Sequence, residues 1–444
     1  MAFVSLSVLM FFFLTIGVRT FTRQIVVKHF GVTNALTKLI LFDQNDLNNP
    51  EDQEYAPISK IINWGELYPF PGEEKVESGT EFNGYLTNIN DKIDSAKRKI
   101  EVYATDFLIG YRAMTRWERT YRDIIHWNFV PYSEYNGVIT MSDGYLTDIV
   151  PSGEVFDQVS STVSLASFCK ERGSKFLFVQ APHKICKVTD TTLSGSTDYS
   201  NQNADAMLEG LLKEGIDILD LREAIHRENL SHHQLFYRTD HHWTVEAGLW
   251  ASRHILQDLN LRFGFRTDPS LLNDERFRVE EYPSWFLGTQ GKKVTLAHTA
   301  PDDFSLLYPD YPTSFHYILP SRELDVEGDF SVLYDLRRVE KLDYDGSPYL
   351  ACAYGDQSLE QITNLMPGEN RKILLIHDSF GDCVIPFLAL GVRNLDAIDL
   401  RHFTGSLQSY ISSTEPDVVI VMYHCGIAGS TVNYETHKDL FDFR

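Results

Sequence analysis

A chain of 444 residues suits one large domain with additions, or two domains, and 43% hydrophobic with 13% aromatic residues is ample for a packed core, so global disorder is excluded. With 62 acidic against 40 basic residues, a net charge of −22 and no Lys/Arg cluster interleaved with aromatics, the chain is not built to bind nucleic acid. Five scattered cysteines (Cys169, Cys186, Cys352, Cys383, Cys425) without a Cys-x-x-Cys spacing suggest neither a zinc site nor a redox dithiol, and read as buried free thiols.

The chain opens on an apolar run, residues 2–18, closed by Arg19 and Arg23. Its length lies between a signal-peptide core and a full membrane span, and no Ala-x-Ala-like cleavage site follows it. Residues 1–23 are therefore expected to form an uncleaved signal anchor. Residues 24–129 read as a stalk followed by a helical region. Asn48-Asn49-Pro50, Pro69, Pro71 and Gly72 mark breaks there, and Tyr85, Ile89, Ile93 and Ala96 take up helical spacing.

A domain over residues 130–444 is expected to start with a β-hairpin turning at Asp143-Gly144. Helix is expected over 154–172, ended by Gly173, then a buried strand over 175–180. The alternation continues with helix 204–214, strand 216–221, a short helix 221–228 and helix 244–259. After a gap come strand 372–376, helix 384–390, strand 395–400, helix 407–411 and strand 418–422. Alternating helices and continuously apolar strands predict an α/β, doubly wound, mostly parallel sheet. Residues 262–370 break the rhythm and read as a β-rich insertion, with strands at 294–296, 314–319 and 331–334. Its aromatic residues Trp285, Phe286, Tyr308, Tyr311, Phe315 and Tyr317 either fill a core or stack on sugar rings.

Two polar turns carry the chemistry. Thr239-Asp240-His241-His242-Trp243 puts a carboxylate beside two imidazoles just before a helix. Leu374-Leu375-Ile376-His377-Asp378-Ser379-Phe380-Gly381 is a strand breaking into a turn, like a nucleophile elbow with His377 where glycine is common. A serine nucleophile needs a base, and the base needs an orienting group; these turns supply all three. Helix capping by Asp378 or Ser379 is the ordinary alternative. His232, His233, His241 and His242 lack a fixed metal-ligand spacing. Spacing alone leaves His241 and His242 equivalent as the base.

The ordered pair Asp240-His241-His242-Trp243 and Asp378-Ser379-Phe380 resembles the DHHW family of bacterial cell-surface proteins, itself similar to the SGNH-hydrolase-like alginate O-acetyltransferases. Weaker matches are Gly137-Val138 with Asp143-Gly144-Tyr145-Leu146, Pro182-His183-Lys184 and Asp399-Leu400-Arg401. The resemblance implies an SGNH-like fold and a triad in which Asp240 orients, His242 is the base and Ser379 the nucleophile. It further implies Arg401, Lys184 and Tyr423 as oxyanion or substrate contacts, with no metal and no organic cofactor. The implied activity is serine-dependent O-acetyl transfer to, or ester hydrolysis on, a cell-surface or extracellular polysaccharide. The expected partners are that acceptor and an acetyl donor delivered by a membrane acyltransferase. The expected location is the cell membrane, with a single N-terminal anchor and an extracytoplasmic domain. An inactive polysaccharide-binding protein of the same fold is the alternative.

Overall fold

Four strands carry side chains buried almost without interruption, and they form the centre of the molecule. The structure is a computed structural model that describes residues 137–141, 143–187, 197–296, 299–429 and 438–444. The expected anchor, stalk and N-terminal helices lie outside these residues. Among the described residues, no helix is long and apolar enough to cross a membrane.

A two-stranded hairpin, β1 (Ile139–Thr140) with β2 (Leu146–Thr147), turns at Asp143-Gly144 as its sequence predicts. Helix α1 (Phe156–Glu171) follows, then β3 (Lys175–Ala181), α2 (Ser200–Lys213), β4 (Ile218–Asp220), α3 (Leu221–Arg227) and α4 (Val245–Phe263). Thr244 caps α4 by accepting a hydrogen bond from the Ala247 N–H. Then come β5 (Phe277–Phe286), α5 (Thr289–Val294), β6 (Asp302–Pro309), β7 (Phe315–Leu319), β8 (Leu324–Gly328) and β9 (Glu360–Asn364). The chain ends through β10 (Glu369–His377), α6 (Ile385–Gly391), β11 (Val392–Asp399), α7 (Leu407–Thr414) and β12 (Val418–His424).

The main sheet runs β4-β3-β12-β10-β11-β9-β7-β8. Its first five strands are parallel and the last three join antiparallel. Side chains alternate across it. Phe176, Phe178, Leu374, Ile376, Val419 and Val421 face a layer made by α1, α2 and α7. Leu177, Val179, Ile373, Leu375, Ile420 and Met422 face α4 and α6. Burial on both faces is why these strands read as continuous apolar runs.

Two expectations need correction. The sheet is mixed rather than mostly parallel, because residues 262–370 are not a separate insertion: β7, β8 and β9 extend the main sheet, and only β5 and β6 pair apart. Within that segment, residues 294–296 are not a strand: Val294 ends α5, whose first N–H is drawn to Asp240, and residues 295–296 follow it. Residues 331–333 lie in a 3-10 turn, Phe330–Leu333, nucleated by Asp329 accepting from the Ser331 N–H, and Tyr334 after it is extended and bridges to Cys352. Phe286, Phe315 and Tyr317 are buried, and Trp285, Tyr308 and Tyr311 pack partly buried against the same core. These aromatics are mainly core filling.

Candidate active site

The carboxyl ends of β10, β12 and β3 lie side by side, where ligands of open α/β sheets collect. Ser379 stands just beyond β10, at the first residue of a 3-10 turn, Ser379–Gly381. Asp378 caps that turn: Oδ1 accepts from the Phe380 N–H at 2.9 Å. The capping and nucleophile roles are thus divided between two adjacent residues. His377 is fully buried, and a Cβ on Gly381 would lie 2.5 Å from its ring. The glycine that makes the turn tight therefore stands after the serine, leaving room for the imidazole before it.

His242 reaches the serine from the opposite wall. Its Nε2 lies 2.7 Å from Ser379 Oγ, and its Nδ1 lies 2.6 Å from Asp240 Oδ1. With Asp240 ionised, the Nδ1 proton is directed to the carboxylate and the Nε2 lone pair to the serine hydroxyl. His241 is set apart by geometry: its Nδ1 is 3.6 Å from Asp240 and its ring packs on His242 at 3.8 Å. The tie that spacing leaves between the two histidines is resolved by position.

Asp240 is 2% exposed, and both of its carboxylate oxygens are hydrogen-bonded. Oδ1 also accepts from the His242 N–H at 3.1 Å, and Oδ2 from the Thr289 N–H at 2.6 Å. Burial alone would raise its pKa. The His241 and His242 imidazoles, with the bonds from His242 and Thr289, instead hold it well below the usual carboxylate range. The loop bearing Thr289 approaches closely because residue 288 is glycine: a Cβ there would sit 2.3 Å from the Asp240 Cβ. Asp302 fixes the preceding residue, accepting from the Thr239 N–H at 2.8 Å and the Thr239 hydroxyl at 2.6 Å.

The two turns are also joined around the reacting atoms. The Trp243 indole N–H donates to the Phe380 carbonyl at 3.0 Å. The Tyr349 ring stacks on His242 at 4.2 Å, and its hydroxyl donates to the Ser379 carbonyl at 3.0 Å. On the other side of the turn, His424 stacks on Phe380 at 4.7 Å, and both its N–H and its Nδ1 meet Asp378 Oδ2 at 2.8 Å. Asp378 is lowered to about 2: burial opposes its ionisation, and His424 beside it, hydrogen-bonded through its N–H and Nδ1, overrides that. Tyr349, Thr289, Asp302 and His424 carry no local signal in the sequence, since each is a single residue brought in by tertiary closure.

The three further candidates lie elsewhere. Lys184 is 1% exposed, and its ammonium donates to Leu146 O at 2.6 Å, Gln290 Oε1 at 3.0 Å and the Asp240 carbonyl. Burial lowers it to about 8. It braces the Asp240 loop from behind instead of contacting the serine. Arg401 is committed to Asp399 and, at 2.6 Å, to Asp356. Tyr423 points to the α1/α2 face of the sheet, where its hydroxyl donates to Leu440 O. Strand alternation makes its neighbour His424, not Tyr423, the residue of β12 that faces Ser379's turn.

Asp240, His241 and His242 have ligand atoms within 4.8 Å of one another, as do Asp356, Asp399 and His402. In the first group, Asp240 Oδ1 and both His242 nitrogens are bonded within the Asp–His–Ser chain. In the second, Arg401 already pairs with both carboxylates. His232 bonds the His183 carbonyl at 2.7 Å and His233 pairs with Asp143, so the four histidines of the middle stretch do not converge.

Residues 158–284 match the family described as SGNH hydrolase-like domain, acetyltransferase AlgX, a stretch that includes Asp240 and His242 and ends before Ser379. The chain is similar to the structure of Bacillus cereus PatB1 with a sulfonyl adduct, at 17% identity and a TM-score of 0.54, over 68% of this chain and 99% of that one. It is also similar to a DHHW family protein from Eubacterium siraeum DSM 15702, at 15% identity and a TM-score of 0.53, over 70% and 98% of the two chains. No curated protein matches the sequence. The resemblance read from the two motifs is thus met by both comparisons, and the shared feature is the SGNH hydrolase-like fold.

Proposed function

We propose that the chain is a serine-dependent O-acyltransferase that works through an acyl-Ser379 intermediate. The observation that carries this reading is the unbroken hydrogen-bond chain Asp240–His242–Ser379, with links of 2.6 and 2.7 Å. His242 Nε2 takes the serine proton as Oγ attacks the acyl carbonyl, and returns it to the leaving group of the donor. In the second half, an acceptor hydroxyl gives its proton to the same nitrogen as its oxygen bonds the acyl carbon. The Ser379 Oγ bond then breaks and Oγ recovers that proton. Asp240 fixes the imidazole tautomer throughout. The Ser379 N–H, the first donor of its turn and without an intrahelical partner, suits the developing oxyanion.

The acyl group in this reading is acetyl and the acceptor a polysaccharide hydroxyl, with water giving hydrolysis through the same residues. The family match to an acetyltransferase supports the acyl group. The apolar run at 2–18 supports an exported, N-terminally anchored enzyme, and in this reading its acetyl group comes from a membrane partner. Full-length protein treated with an activated acetyl ester is expected to gain one acetyl mass on Ser379, and Ser379→Ala to gain none there. No acylation with any activated ester would leave the fold to a polysaccharide-binding role.

A further inference from the structure

Beyond the triad, a second group of side chains surrounds the serine turn. His424 ends β12 beside the turn that follows β10: the last registered pair of the two strands is His377 with Met422, so two residues further each chain has reached Ser379 and His424. Asp378 takes the Nδ1 proton of His424, which leaves Nε2 as the acceptor nitrogen, and no partner for Nε2 is present among the described residues. His183, just past the end of β3, is the complement. Its Nδ1 accepts from the Ile185 N–H at 3.2 Å, so its proton resides on Nε2, which also lacks a partner among the described residues.

The two rings meet across one residue. A Cβ on Gly426 would lie 2.7 Å from His424 Nε2 and 3.3 Å from His183 Cδ2. Glycine therefore leaves free the space beside His424 Nε2 and the edge of the His183 ring. Asp148 and His241 complete the group: Asp148 interacts electrostatically with His183, His241 and His424. Its Oδ1 is fixed by Gln290 Nε2 at 2.6 Å. Burial, the largest influence, lowers both His183 and His241, so both are neutral at pH 7. Asp148 lies below its ordinary carboxylate value in spite of burial, and the bond from Gln290 favours its ionised form.

We propose that His424, His183, His241 and Asp148 form an acceptor subsite beside Ser379 for a neutral, polyhydroxylated molecule such as a sugar. A hydroxyl lodged between the two histidines donates to His424 Nε2 and accepts from His183 Nε2, using both halves of its hydrogen-bonding capacity. The carboxylate of Asp148 accepts from neighbouring hydroxyls and repels an anionic acceptor, in keeping with a chain of net charge −22. The subsite rests on the acyl-serine reading and adds to it the chemistry of the second half-reaction. The proton still passes from the reacting hydroxyl to His242 and on to Ser379 Oγ; His424 only holds and aims the acceptor.

The test is a partition measurement on the full chain. Acetyl-Ser379 is generated with p-nitrophenyl acetate, and the fraction of acetyl passed to glycerol or cellopentaose is compared with the fraction passed to water. This ratio is independent of how fast the serine is acylated. His424→Ala is expected to lower it at least tenfold, with His424→Gln recovering most of the loss because an amide can hydrogen-bond the hydroxyl. Asp148→Asn, remote from the serine turn's own hydrogen bonds, is expected to raise the KM for the polyol several-fold. An unchanged partition ratio in both His424→Ala and Asp148→Asn overturns the subsite while leaving acyl-Ser379 intact. Wild-type acyl-enzyme that passes acetyl to water alone does the same. A wild-type chain that never acylates overturns the acyl-serine reading, and the subsite with it.

Discussion

The Trp243 indole and the Phe380 carbonyl are hydrogen-bonded across 137 residues of sequence, so the base-bearing turn and the serine-bearing turn are joined outside the reacting atoms. Trp243 is wholly buried, and its neighbour His242 is held against Ser379 at 2.7 Å. The tryptophan acts as the spacer that sets the distance between base and nucleophile.

Trp243→Phe keeps the ring and removes the donor. It leaves the buried Phe380 carbonyl with only the weak thiol contact from Cys383 at 3.7 Å, a loss of up to about 1–3 kcal/mol. Denaturant melts should show that loss, and acylation by an activated ester should slow as the 2.7 Å contact between His242 and Ser379 loosens. Wild-type acylation kinetics in this variant would show that the indole bond plays no part in alignment.

Asp240→Asn preserves shape and loses the charge that fixes the His242 tautomer. Acylation is expected to fall by about 10⁴-fold, the scale of tautomer loss in other serine triads. Gly288→Ala should give a related phenotype by a steric route, since its Cβ would meet the Asp240 Cβ at 2.3 Å. Overpacking of about 1–3 kcal/mol should accompany it. Stopped-flow acylation alongside thermal melts separates the two effects, because only the alanine variant should melt early.

Lys184→Met replaces a buried ammonium by an apolar chain of similar length. The carbonyls of Leu146 and Asp240 and the Gln290 amide lose their donor together. Each unsatisfied acceptor costs about 1–3 kcal/mol, so the variant should be severely destabilised, and residual folded protein should acylate poorly. A melt within a degree or two of wild type would refute the bracing role.

Glu360 gives a pH signature. It is fully buried, its carboxyl is raised to about 8 chiefly by burial, and Tyr317 donates to it at 2.5 Å. A raised carboxyl keeps its proton in the folded chain after the unfolded chain has released it. Stability is therefore full below the unfolded value near 4.5 and declines as pH rises toward 8, at up to about 1.4 kcal/mol per pH unit. Glu360→Gln should flatten that slope in urea titrations between pH 5 and 8. An equal slope in both proteins would mean that the carboxyl ionises freely when folded.

How far the sequence foretells this molecule depends on whether a feature is local. The runs at 175–180, 372–376, 395–400 and 418–422 are apolar throughout because both faces of those strands are covered, and each corresponds to a strand of the sheet. By contrast β7 and β9 alternate between buried and half-buried positions, a pattern that marks a strand without naming its neighbour, so their joining of the main sheet is not legible. Asp240, His242 and Ser379 stand in two short polar turns before helical segments, which a local pattern marks. The choice between His241 and His242 is not local: both adjoin Asp240, and 3.6 Å against 2.6 Å to its carboxylate separates them only in three dimensions. Gly288, Tyr349 and His424 matter through what they touch, and their own neighbours in sequence say nothing of it.

The grip on Asp240 has a temporal side. Lys184 comes before it in the chain, Thr289 and Asp302 well after it, and the serine it serves is later still. A chain growing from its N-terminus therefore holds the acid, the base and the side chains that grip the acid long before it holds the nucleophile. The triad is complete in sequence only once the serine has been added, so the nucleophile is the last of the three to join a setting already built for it.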